Sequence, residues 1–145
     1  MQVYTIGFTK RQAGDFFGSI RAAGIQLLLD VRLRNSSQLA GYTKVNDLPF
    51  FLREICSAEY LHEPLLAPSP DLLDSYRKRR IGWPEYERRF VELLTERQVE
   101  TRIDQALFNR RVVLLCSELT AERCHRRVVL EYLATRWGDL SAVHL

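Results

Sequence analysis

Short apolar runs alternate along this chain with longer stretches in which apolar residues recur every three or four positions. Gln2–Ile6 reads as a first strand. Thr9 then offers a helix cap, with Ala13, Phe16, Phe17 and Ile20 at helical spacing and Gly24 as the stop. Residues 25–31 are nearly continuous apolar, the pattern of a strand covered on both faces. Residues 32–46 are polar and turn-rich and read as a loop. Asp47 caps a second helix with Pro49 in its first turn and Leu48, Phe51, Leu52 and Ile55 inward. Residues 59–63 form a short third strand. After a proline-rich loop, helices are predicted over 71–80, from Pro84 onward with Tyr86, Phe90, Leu93 and Leu94 inward, and over 99–108. Val112–Cys116 is a β-branched, apolar fourth strand. Residues 121–137 read as a long helix stopped by Gly138, and 141–145 as a last strand.

Strands alternating with helices predict an α/β fold: an open, mostly parallel five-stranded sheet with helices on both faces, in one domain over residues 1–145. The topology is Rossmann-like without a dinucleotide motif, since neither G-x-G-x-x-G nor G-x-x-x-x-G-K-[ST] occurs. Ligands of such sheets lie beyond the carboxyl ends of the strands, where strand order reverses. A crossover from strand three to strand four places that reversal between strands one and four. Thr5, Gly7 and Cys116 then flank the crevice, with Asp30 and Arg32 one strand away.

Composition changes this picture little. The chain has 145 residues, 46% hydrophobic and 27% charged, an ordinary globular balance. No apolar run reaches the ~20 residues of a membrane span, and Met1–Thr5 enters a strand pattern directly, so neither membrane nor signal peptide is expected. The three cysteines are an odd number, which suits reduced thiols and a cytoplasmic location. The net charge of +3 is weak evidence for nucleic acid, but the arginines cluster, as in Arg77–Arg80, Arg88-Arg89 and Arg126-Arg127. The glutamates among them favour solvated helix faces as the reading of these clusters.

The candidate chemistry lies where the apolar runs end. Cys116 closes a buried strand and Cys124 opens the following helix, whose start favours anions and lowers a thiol's pKa. His125 and Arg126 add donors there. Asp30 and Glu118 are candidate acid and base, since two nearby carboxylates push their pKa values apart; Asp30 also has an ordinary partner in Arg32. Ser37 and Tyr42 belong to a loop rich in small polar side chains that can wrap a ligand, and Tyr42 can stack on a base. A tyrosine-phosphatase loop is disfavoured, because Cys116 to Arg123 is one residue too long and Glu118 inside it would repel phosphate. A zinc site with Cys116, Cys124, His125 and Glu118 lacks the usual close cysteine pair. Cys124 and His125 would moreover diverge by about 100° on a helix. No metal and no cofactor is therefore expected.

Together these segments resemble the uncharacterised bacterial and archaeal domain-of-unknown-function family four hundred and eighty-eight. The matching residues are Tyr4-Thr5-Ile6-Gly7-Phe8, Leu29-Asp30-Val31-Arg32, and Leu115-Cys116-Ser117-Glu118 with Cys124-His125-Arg126. The resemblance implies an α/β fold and a shared polar pocket, but no established activity. The stretch Asp30–Tyr42 resembles a subgroup of the family; other members tend to carry a Pro-x-Ser-Arg loop there, so this chain lacks that arginine.

The function expected is a small cytoplasmic enzyme acting on a phosphate-bearing substrate, a nucleotide or nucleic acid. Thr5, Gly7, Arg32, Ser37, Tyr42 and Arg126 would bind the anion, and Asp30, Glu118, Cys116, Cys124 and His125 would supply the chemistry. The alternatives are a non-catalytic nucleotide or nucleic-acid binding module and a thiol or metal sensor. Oligomeric state is not legible.

Overall fold

A computed structural model describes residues 1–36, 41–116 and 124–145. Five strands form one open sheet: β1 (Gln2–Gly7), β2 (Leu27–Asp30), β3 (Glu59–His62), β4 (Val112–Cys116) and β5 (Ser141–His144), in the order β3-β2-β4-β1-β5. Every pairing is parallel, so all five carboxyl ends lie along one edge.

The order corrects one expectation. β4 inserts between β1 and β2, with Cys116 beside Gly7 and Leu115 beside Asp30. Asp30 therefore adjoins β4 directly and is not separated from it by β1. Local patterning cannot rank the central strands, because β1, β2 and β4 are all apolar enough to be covered on both faces.

Each face of the sheet carries its own core, divided by strand alternation. On one face Leu28, Val113 and Leu115 meet α1 (Ala13–Ala22), α2 (Leu48–Phe51) and the π-helical turn Leu52–Cys56 that continues it, through Phe16, Phe17, Ile20, Leu48 and Leu52. On the other, Leu27, Leu29, Leu114 and Cys116 meet four helices: α3 (Pro70–Arg77), α4 (Trp83–Arg97), α5 (Val99–Arg102) and α6 (His125–Trp137). Phe90, Leu94, Val129 and Leu133 are fully buried there.

Helix boundaries differ from the expected ones for local reasons. α1 begins at Ala13, later than a Thr9 cap would give, because Arg11 N–H closes a turn onto the Phe8 carbonyl (3.0 Å) and Lys10 has φ +60°. Gly24 follows α1 at φ +66°, where a side chain would be strained. The predicted helix over 99–108 is two pieces. Ile103 is extended and buried, and Asp104 then caps a 3₁₀ turn over Gln105–Asn109 by accepting from Ala106 N–H. α6 starts at His125, since Cys124 before it is extended at φ −134°, ψ 141°. Among the described residues no helix is long and apolar enough to cross a membrane.

Candidate functional site

The candidate residues at the carboxyl edge divide between the two faces of the sheet. On the α1 side Asp30 is fully buried and its two oxygens are held by four donors. Arg32 gives its backbone N–H (3.1 Å) and Nε (2.8 Å) to Oδ1 and Nη2 (2.8 Å) to Oδ2, and the Tyr60 hydroxyl gives a 2.6 Å bond to Oδ2. Arg32 Nη2 also donates to the Thr43 carbonyl (2.7 Å), and its guanidinium lies over the Phe8 ring. Asn35 donates to the Tyr60 hydroxyl (3.3 Å), and His62 Nε2 donates to the Arg32 carbonyl (2.9 Å). The result anchors the loop after β2 to the sheet. Burial first, and the Asp30 carboxylate second, push the Tyr60 hydroxyl well above its ordinary pKa, so it stays protonated and donating.

Tyr42 joins this half by a different route. Its hydroxyl donates to the Arg11 carbonyl (2.7 Å), and its ring packs against Phe16 and Phe17 at 5.2 and 5.7 Å. The ring is half-buried. Ser37 and Glu118, the other two candidates, lie outside the described residues.

On the α6 side, Cys116 at the end of β4 and Cys124 before α6 are both buried, and they meet sulfur to sulfur as a disulfide with Cα atoms 7.4 Å apart. This replaces the expectation of separate thiols. His125 stands beside them: one ligand atom from each of Cys116, Cys124 and His125 lies within 4.8 Å of the others. His125 Nε2 donates to the Val31 carbonyl at 2.7 Å, and its ring faces Phe90 at 5.6 Å. Burial drives the imidazole pKa down to about 4 against the favourable Val31 bond, with Arg126 adding to the depression. It is a neutral ring at pH 7.

Arg126, in the first turn of α6, is 1% exposed. Thr5 is buried and shares a 2.5 Å hydrogen bond with His144 Nδ1 on neighbouring β5. Burial, then the Arg126 and Arg127 charges, lower the pKa of His144. Val31 joins the halves: its carbonyl accepts from His125 while its chain neighbours Asp30 and Arg32 form the pair on the other face.

The chain matches the family model "Domain of unknown function DUF488" over residues 12–133. It belongs to that family. No curated protein and no solved structure matches it. The DUF488 match spans Asp30, Arg32, Cys116, Cys124, His125 and Arg126, while Thr5, Gly7 and His144 lie outside the matched residues.

Sequence reading passed over Tyr60 and Thr43. Tyr60 was within reach. In the register found, Asp30 sits opposite His62, so Tyr60 is its diagonal neighbour on the same face. Thr43 contributes only a backbone carbonyl, which no side-chain motif can announce.

Proposed function

We propose that this DUF488 protein binds a phosphate-bearing molecule of the nucleotide or nucleic-acid class at the α6 side of the sheet edge and acts on it as a small enzyme. The observation that carries the reading is the composition of the α6 start. Its first turn holds His125, Arg126 and Arg127 and no acidic residue, and its N-cap, Cys124, makes no side-chain capping bond. A helix start carries positive partial charge and unpaired N–H groups. Anions are favoured at such an end, and adjoining guanidiniums add to that attraction. Arg127 is turned away to Glu131 and Glu87, while Arg126 is buried.

For the chemistry, Asp30 is poorly suited to proton exchange because its oxygens are fully engaged. His125 and His144 are the neutral bases nearest the helix start, and His144, which is exposed, is the one open to substrate.

The test is a thermal melt against inorganic phosphate, nucleotides and short oligonucleotides. A ligand at a hundred times its Kd stabilises by ~2.7 kcal/mol, several degrees for a domain of this size. Arg126→Gln should fold yet lose the shift. Uniform melts across the panel, or a shift that survives Arg126→Gln, would remove the reading.

A further inference from the structure

We propose that Cys116, Cys124 and His125 hold one divalent transition metal of the zinc class, as its three ligands among the described residues. The inference does not rest on the anion reading.

Three independent features of the fold converge here. The first is backbone spacing. The two cysteine Cα atoms are 7.4 Å apart, and beyond about 7 Å a disulfide needs backbone movement. In a tetrahedral site with metal–sulfur bonds near 2.3 Å the two sulfurs stand about 3.8 Å apart. Positions that hold the Cα atoms at 7.4 Å therefore accommodate two thiolates on a shared ion with less adjustment than a covalent bridge.

The second is the imidazole. A carbonyl can only accept, so His125 Nε2 must carry its proton toward Val31 O. That fixes the tautomer and leaves Nδ1 as the ring atom with a lone pair. Metal-bound histidines are commonly oriented in this way, by donating the other N–H to a backbone carbonyl.

The third is the conformation of Cys124. On a continuous helix, Cys124 and His125 would point about 100° apart. Cys124 is instead extended, and α6 begins only at His125. The obstacle that the sequence raises against adjacent ligands is absent, and the three ligand atoms gather within 4.8 Å.

The surroundings agree. Cys116 and Cys124 belong to the apolar core between the sheet and α6, which excludes competing water and favours a neutral complex. Two thiolates and a divalent ion cancel in charge, so the nearby Arg126 guanidinium faces no net cation. Two soft sulfurs with one imidazole suit zinc, cobalt or ferrous iron over magnesium or calcium. A thiol or phosphine reductant first supplies two electrons and two protons to open the Cys116–Cys124 disulfide; metal binding then releases the two thiol protons with no further change of oxidation state.

The experiment is a Co(II) titration of the full chain, purified under a thiol-free reductant and stripped with chelator, followed by Zn(II) competition. The expected result is one equivalent of Co(II) with near-ultraviolet sulfur charge-transfer absorption and tetrahedral visible bands, displaced by Zn(II). Cys124→Ser should weaken binding tenfold or more and diminish the charge-transfer band. His125→Gln, which keeps a donor for Val31 but has no second ring nitrogen, should shift the visible bands and weaken binding. Cys56→Ser, distant from the cluster, should titrate as the wild type does. Absence of a charge-transfer band in the wild type overturns the proposal, as does an unaltered titration of Cys124→Ser. If Cys124→Ser does not fold, an unaltered His125→Gln titration overturns it equally.

Discussion

Arg32 grips Asp30, two positions before it, with three nitrogens, two from the guanidinium and one from the backbone. Both side chains are almost completely buried. Removing one partner strands the other's charge, which costs ~3–5 kcal/mol. Asp30→Asn and Arg32→Met should therefore each lower stability by about that amount in urea unfolding. The double variant should cost much less than the two single losses added together, because no lone charge remains. Near-normal unfolding of Asp30→Asn would free Asp30 from its anchoring role and return it to the list of catalytic acids.

Acid sensitivity should follow His125. Its folded pKa is depressed to about 4 from an ordinary value near 6.5. Above pH ~6.5 both folded and unfolded forms are neutral and the residue contributes no pH dependence. As pH falls from ~6.5 to ~4 the unfolded chain takes up the proton first, so stability declines, by up to ~3 kcal/mol, and then levels. The charges facing the ring are Arg126 and Arg77, which oppose protonation, and Asp30, which favours it. Urea melts of the metal-free chain across this window, compared with His125→Gln, should show a slope in the wild type that the variant lacks.

Thr5 and His144 tie β1 to the edge strand β5. Thr5→Val keeps the shape and removes the hydroxyl, so it should cost ~0.5–1.5 kcal/mol. His144→Ala should cost little more once Thr5 is already Val. Independent, additive losses in a double-mutant cycle would show that the pair contributes nothing as a pair.

Ser69 caps α3 by accepting from Leu72 N–H at 3.2 Å, ahead of Pro70 in the first turn. Ser69→Ala should cost ~1 kcal/mol in thermal or chemical unfolding. An unchanged midpoint would mean that packing of Leu72 alone fixes the helix start.

Much of the fold was readable because the strands are short apolar runs and the helices carry apolar residues at three- and four-residue steps. Val112–Cys116 came out with the predicted bounds. Strand order did not, since nothing local distinguishes a β4 beside β1 alone from one wedged between β1 and β2. At the site, the residue types at the strand ends were evident, but their division between faces depends on register and alternation. Cys124 illustrates the limit. Periodicity carried the helix back through it, whereas the extended backbone at that one residue decides where its sulfur goes. Asp30 was open to two readings in the sequence, and only the four donors around it distinguish an anchor from a free carboxylate.

The wedged position of β4 also bears on how the chain reaches its native state. Within the sheet β1 pairs only with β4 and β5, the last two strands to be made. A nascent chain that has finished β3 can pair β2 with β3, but β1 has no strand to receive it until residues 112–116 appear. Two apolar edges, on β1 and β2, must wait for the same late segment to fill the gap between them. Such long-range closure slows folding and leaves adhesive strand edges open in the interval. The insertion that brings Cys116 between Gly7 and Asp30 thus makes assembly of the candidate site and completion of the sheet a single late event.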